Sequence, residues 1–195
     1  VEMVPMRDGV KLFTTIEVPQ QGKKYPVLLL RNLYRRRTEQ IAESQDIAGR
    51  NFIAIHQDVR GSGRSEGVWH AFLQERNDGE DCLEWIAKQP WCDGRIFMHG
   101  ASYCGSTQFL AAACGHPALK AIAPEVVAFD YFTPMTQREG VPTLALFNWA
   151  CACTYNNLGM TEDNPRPKYD DAHVAWKERD IIALGRPVHF WRQMT

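Results

Sequence analysis

GRIFMHGASYCGSTQFLAAACG, residues 94–115, is the stretch on which the fold turns. An apolar run of strand length, GRIFM, breaks at Gly100, carries Ser102, and passes without a linker into STQFLAAACG, whose apolar spacing is helical. A strand that ends in a glycine-flanked turn, presents a serine and starts a helix at once has the geometry of a nucleophile elbow. Such a turn lifts the hydroxyl above the sheet and aims the first N–H groups of the helix at whatever lies over it. The general pattern is G-x-S-x-G, whereas here Cys104 takes the place of the second glycine and Gly105 comes one residue late. Serine is also a common N-cap, so the motif alone leaves an ordinary strand-to-helix turn open.

Working outward, the same alternation repeats. YPVLLLRNLY, NFIAIHQDVRG and ALKAIAPEVVA are continuous apolar runs, and TEQIAESQDIAGR and NDGEDCLEWIAKQ have helical spacing. Strands and helices in turn predict a mostly parallel sheet, whose strands are buried on both faces and therefore lack alternation. VEMVPM and VKLFTTIEV, joined by Arg-Asp-Gly, predict a leading β-hairpin. Beyond residue 128 the alternation stops. The spacing there predicts helices with no further strand, around a proline-bearing connector, TEDNPRPKYDD. The expected division is residues 1–128 and 129–195.

Composition limits the function. The chain has 195 residues, is 45% apolar and 23% charged, and carries a formal net charge of −1. That charge gives no field to gather nucleic acid, and RNLYRRR, the one compact basic run, reads as a solvated loop or helix start. No stretch approaches a membrane span, and VEMVPMRDGV has no charged-then-apolar leader. The expected compartment is the cytoplasm, with secretion left open because the chain begins at Val1. The six cysteines lack metal or redox spacing and read as reduced, mostly buried thiols, Cys151 and Cys153 included. GSGRSEG is one residue too long for dinucleotide spacing, so no NAD site is indicated, and Asp58 and Arg60 are expected to pair and brace the loop. On the crossover helix, Leu83 and Ile86 should face the sheet, Glu80 and Lys88 the water, and Asp81 should be structural.

The segments MRDGVKL, YPVLLLRNLY, QDVRGSGRSEG, DCLEWIAKQPWCDGRI, GASYCGSTQ and LKAIAPEV come in one order. That order resembles the cocaine esterase and X-Pro dipeptidyl-peptidase-like hydrolases, over about residues 4–128 and then as the start of a helical cap. The family elbow is G-x-S-Y-x-G, which accommodates the late glycine. The resemblance implies an α/β-hydrolase class chain, with Ser102 as nucleophile and an oxyanion hole made by the Tyr34 hydroxyl and the Tyr103 backbone amide. It implies ester, amide or short-peptide substrates and no metal or organic cofactor, and it leaves a homo-oligomer open. The alternatives are an X-Pro dipeptidyl peptidase or β-lactam acylase, and a noncatalytic binding domain of the same fold.

A serine hydroxyl needs a base, and in this fold the acid and histidine come later in the chain. His56 and His99 fall in strands, His116 follows a helix, and His173 and His189 lie in the tail, which leaves His70 as a pocket-lining residue on the serine's rim. The acids Glu162, Asp163, Asp170 and Asp171 read as a solvated connector. The triad's acid and base are expected beyond Thr195, in a longer hydrolase.

Overall fold

The computed structural model describes residues 1–34, 38–127, 137–138, 141–142, 149 and 153. The chain separates into two units, Val1–Phe129 and Asp130–Thr195. In the first, the nine expected elements form in the expected order: β1 (Glu2–Pro5), β2 (Lys11–Glu17), β3 (Tyr25–Asn32), α1 (Thr38–Gly49), β4 (Ile53–Asp58), α2 (Glu75–Ala87), β5 (Cys92–Ala101), α3 (Tyr103–Ala112) and β6 (Leu119–Glu125). The six strands make one sheet in the order β1-β2-β4-β3-β5-β6. The four central and late strands pair in parallel, while β2 joins β4 antiparallel and β1 joins β2 as a hairpin.

The hairpin turn follows from its residues. Gly9 takes φ +86, the Met6 N–H donates to the Val10 carbonyl at 2.8 Å, and Asp8 Oδ1 accepts from the Val10 N–H. One core fills the side of the sheet that receives the later helices: Val27, Leu29, Ile53, Ile55, Ile96 and Met98 from the strands meet Cys82, Leu83 and Ile86 of α2 and Ala111 of α3. Leu83 and Ile86 face the sheet as their spacing required, and Lys88 is exposed. Glu80 is half-buried because its carboxylate receives Arg7 at 2.6 Å. Asp81 also holds Arg7, through backbone and guanidinium, so it fastens the hairpin turn to α2.

From β3 the chain crosses α1 to reach β4 on one side, whereas from β4 it crosses α2 to β5 and then α3 to β6 on the other. Right-handed crossovers therefore put α1 on the opposite face from α2 and α3. The direction of winding reverses between β3 and β5, so the connections leaving the carboxyl ends of those two neighbours run to opposite faces, and at such a switch point open α/β sheets bind ligands.

In the second unit, Gln137–Arg138 (β7) pairs antiparallel with Val141–Pro142 (β8). This corrects the strand-free reading of that segment: only Glu139 and Gly140 separate the two runs, the spacing of a tight hairpin, and helical periodicity of the surrounding apolar residues hid it. Cys151, His173, His189 and the tail acids lie outside the described residues. Among the described residues no helix is long and apolar enough to cross a membrane.

Candidate active site

Both principal candidates emerge at the switch point. Tyr34 follows the end of β3, and Ser102 sits between β5 and α3. The Tyr34 hydroxyl and Ser102 Oγ are 2.8 Å apart.

The elbow is strained at the serine itself. Ser102, an exposed residue, has φ +59 and ψ −127, a conformation that L-residues with a Cβ adopt at a cost of roughly 1–3 kcal/mol. Its N–H donates to the Glu125 carbonyl at the end of β6, and its own carbonyl accepts the N–H groups of Gly105 and Ser106, which closes the first turn of α3. Gly100 has φ +128, and a Cβ there would stand 2.5 Å from Leu30 Cδ1 and 2.7 Å from Cys104 Cβ. The late glycine has a different reason. A Cβ on Gly105 would approach Val127 Cβ to 3.0 Å and the Glu125 carbonyl oxygen to 3.2 Å, so Gly105 lets α3 start hard against the end of β6.

Cys104, at the place where the general motif has glycine, is used as a tie. Asn32 Oδ1 accepts both the Tyr34 N–H, at 2.9 Å, and the Cys104 thiol, at 3.3 Å, so one side chain links the two segments that meet at Ser102. Burial pushes the Cys104 thiol up to about 12, which removes it as a competing nucleophile at neutral pH.

Tyr103 opens α3, where the first N–H groups have no acceptor within the helix. Its side chain runs inward and is 2% exposed. The hydroxyl donates to Glu75 Oε1 at 2.8 Å and accepts from Trp69 Nε1 at 3.0 Å and the Phe72 N–H at 3.1 Å. Phe72 stacks on the ring, with centroids 5.0 Å apart. Burial, reinforced by the Glu75 carboxylate, holds the phenol well above its usual range, so it stays protonated. Glu75 is itself buried, which raises its carboxyl, and is opposed by Arg31, whose Nη1 lies 2.9 Å from Oε2. Arg31 also donates to Gln57, and Gln57 to Thr14, so a buried polar chain crosses three strands beneath the site. Gly79 lets α2 pack closely on α3 and over the guanidinium: a Cβ there would be 2.9 Å from Ala111 Cβ and 3.3 Å from Arg31 Nη1.

Two expectations about charges are corrected. Arg31 is no part of a solvated basic run; it is fully buried against Glu75, because β3 lies inside the sheet and carries its side chain under α2. Arg60 pairs not with Asp58 but with Asp78 of α2, at 2.6 Å, and Asp8 of the hairpin, at 2.7 Å. Asp58 instead caps the Arg64 N–H within its own loop, which turns at positive-φ glycines Gly61 and Gly63. The bracing of the loop is real, but the partners come from elsewhere in the chain.

His116, His99 and His70 have partners other than the serine. His116 meets Glu84 at 3.0 Å, His99 faces Glu43 at 3.9 Å, and the half-buried His70 donates its backbone N–H to Gln74. Among the described residues, the Ser102 hydroxyl is met by Tyr34 and by no histidine. The residues that sequence reasoning missed are Trp69, Phe72, Glu75 and Arg31. A charged residue inside the apolar run LLLRN was the one local signal.

A mostly parallel sheet that carries a strained serine turn at its switch point is the α/β-hydrolase fold. Residues 8–193 match the X-Pro dipeptidyl-peptidase (S15) family, and the chain belongs to that family. It is 39% identical over 173 residues to the cocaine esterase of Rhodococcus sp. (strain MB1 Bresler), an alignment that covers 85% of this chain and 30% of that protein. Among solved structures it resembles an α-amino acid ester hydrolase, at 31% identity and a TM-score of 0.60 over 68% of this chain and 26% of the other. A CocE/NonD family hydrolase from Staphylococcus aureus shares the fold with a TM-score of 0.69 at 22% identity, over 80% of this chain and 32% of the other. The chain thus spans about 30% of the length of the curated relative it matches.

Proposed function

We propose that this chain supplies the nucleophile and the oxyanion hole of a serine hydrolase that cleaves ester or amide bonds. The observation that carries the reading is the 2.8 Å contact between the Tyr34 hydroxyl and Ser102 Oγ on a strained, exposed elbow. Ser102 Oγ attacks the substrate carbonyl carbon, its proton passes to a base, and the carbonyl oxygen becomes an anion. The Tyr34 O–H and the Tyr103 N–H donate to that oxygen. Collapse expels the alcohol or amine with a proton and leaves an acyl ester on Ser102, which water then hydrolyses to the acid and the free serine. Without an oxyanion, Tyr34 rests on the serine hydroxyl, which keeps both groups placed for attack.

The family resemblance puts the base and its acid on segments after the cap, and His70 lines the rim. The unit Val1–Phe129 is read as the hydrolase domain and Asp130–Thr195 as the beginning of the cap. The names of the relatives support acyl substrates, esters first. The experiment is fluorophosphonate labelling of the full encoded protein followed by peptide mass spectrometry. Label on Ser102, and loss of both label and turnover in Ser102→Ala, is expected; label elsewhere, or turnover that survives Ser102→Ala, refutes the assignment.

A further inference from the structure

The two oxyanion donors lie on segments that are distant in sequence, and a buried polar chain joins those segments from below. Tyr34 stands three residues beyond Arg31 on the same strand exit, and Arg31 pairs with Glu75 at 2.9 Å. Glu75 receives the Tyr103 hydroxyl at 2.8 Å. Tyr103 is a rigid ring whose near end is the amide that faces the oxyanion and whose far end is that hydroxyl. One donated and two accepted hydrogen bonds use the proton and both lone pairs of the phenol. The ring therefore has no remaining freedom to swing, and neither has the peptide that begins α3.

The arrangement is costly, and a fold has no need of it. Glu75 and Arg31 are 2% and 0% exposed, and a buried ion pair repays its desolvation poorly compared with apolar packing. Phe72 holds φ +66, an unfavourable conformation for an aromatic residue, and its N–H is one of the three groups bonded to the Tyr103 hydroxyl. Two expensive features thus converge on one phenol oxygen, adjacent in sequence to Ser102.

We propose that Glu75 is a positioning residue of the oxyanion hole, fixing the direction of the Tyr103 amide through the Tyr103 phenol and the exit of β3, with Tyr34, through Arg31. The proposal rests on the serine-hydrolase reading and adds that the alignment of its two donors is set by a buried network between the start of α2 and β3.

The test uses the full encoded protein, with p-nitrophenyl acetate as substrate, phenylboronic acid as a tetrahedral adduct former on serine, and rates expressed per fluorophosphonate-titrated Ser102. Tyr103→Phe keeps the ring and loses the hydroxyl. It should lower kcat by about ten- to a hundredfold, less than deleting an oxyanion donor outright, with KM within about twofold of wild type. Boronic acid affinity should fall by a similar factor. Ile96→Val, a core change in β5 away from the site, should lower the melting temperature and leave both per-site quantities unchanged. If Tyr103→Phe melts earlier but keeps wild-type kcat and boronate affinity, the network is structural and the proposal is overturned. Should Tyr103→Phe fail to fold, Glu75→Gln keeps the size of the side chain and removes the charge that meets Arg31 and the Tyr103 phenol; a several-fold fall in both quantities supports the proposal, and wild-type values overturn it. Absence of Ser102 labelling in the wild type overturns the serine reading and the proposal together, whereas labelling with an unaffected Tyr103→Phe overturns the proposal alone.

Discussion

Alanine at the two glycines of the elbow should have very different costs, although the sequence makes them look equivalent. At Gly100 the backbone has φ +128, and the new Cβ would meet Cys104 Cβ at 2.7 Å and Leu30 Cδ1 at 2.5 Å. Leu30 can swing its terminal methyl, but Cys104 Cβ is fixed to the first turn of α3. Backbone strain of roughly 1–3 kcal/mol and overpacking of similar size add, less the ~0.4–1 kcal/mol gained by restricting the unfolded chain. Gly100→Ala should therefore destabilise by about 1–5 kcal/mol, with the middle of that range expected because both contacts are under 3 Å. Gly105 is helical, with no positive φ, so alanine gains up to ~1 kcal/mol of helix preference there. Its contacts at 3.0 to 3.3 Å require Val127 and the end of β6 to give by a few tenths of an ångström, which costs about as much. The net effect should lie within about 1 kcal/mol of zero. Urea unfolding followed by tryptophan fluorescence, with the m-value held common, measures the difference. If Gly105→Ala is as destabilising as Gly100→Ala, or Gly100→Ala unfolds at the wild-type midpoint, the account of the elbow is wrong.

Tyr34→Phe should lower turnover by roughly ten- to a thousandfold while the melting temperature hardly moves, because the lost hydroxyl acts on the transition state; steady-state kinetics beside a thermal melt decide it. Folded protein at pH 8 should leave Cys82 and Cys104 unmodified by iodoacetamide, since burial pushes their thiols up to about 11 and about 12, and the partly exposed Cys114 should label before them; peptide mapping reads the order. Burial lowers the His99 imidazole below its ordinary value, with Glu43 and Glu125 opposing. Below pH 6.5 the unfolded chain then takes up the proton more readily than the folded one, so this contribution to stability is whole above 6.5 and is lost as pH falls through the lower folded value. His99→Gln should flatten the fall in urea midpoint below pH 6.5, and an unchanged pH profile would refute that role.

The fold was legible because its signals are local and periodic. YPVLLLRN and IAIHQD are strands largely buried on both faces, GRIFM buries Ile96 and Met98 with Phe97 half-buried between them, and the change of period after Gly100 marks the start of α3 within a residue or two. Ser102 and Tyr34 could be singled out because a turn motif and a family pattern name them, and the structure brings them to 2.8 Å. What supports them was not legible. Arg31 and Glu75 are 44 residues apart, and their pairing depends on how α2 lies across β3, which no window of sequence encodes. The same holds for Arg60, whose partners are 18 and 52 residues away, whereas proximity in sequence pointed to Asp58. The hairpin Gln137–Pro142 was missed for the opposite reason: each strand is two residues long, too short for any period to show.

The backbone at Ser102, φ +59 with ψ −127, also bears on how this chain can change over generations. Glycine is the one residue that takes up that conformation without penalty, so a Ser102→Gly replacement relieves roughly 1–3 kcal/mol of strain and, on the proposed mechanism, removes the hydroxyl that attacks. Selection for stability and selection for turnover therefore pull in opposite directions at a single codon. A lineage released from the need for chemistry would drift toward glycine there, and a lineage that keeps serine does so against a standing gradient.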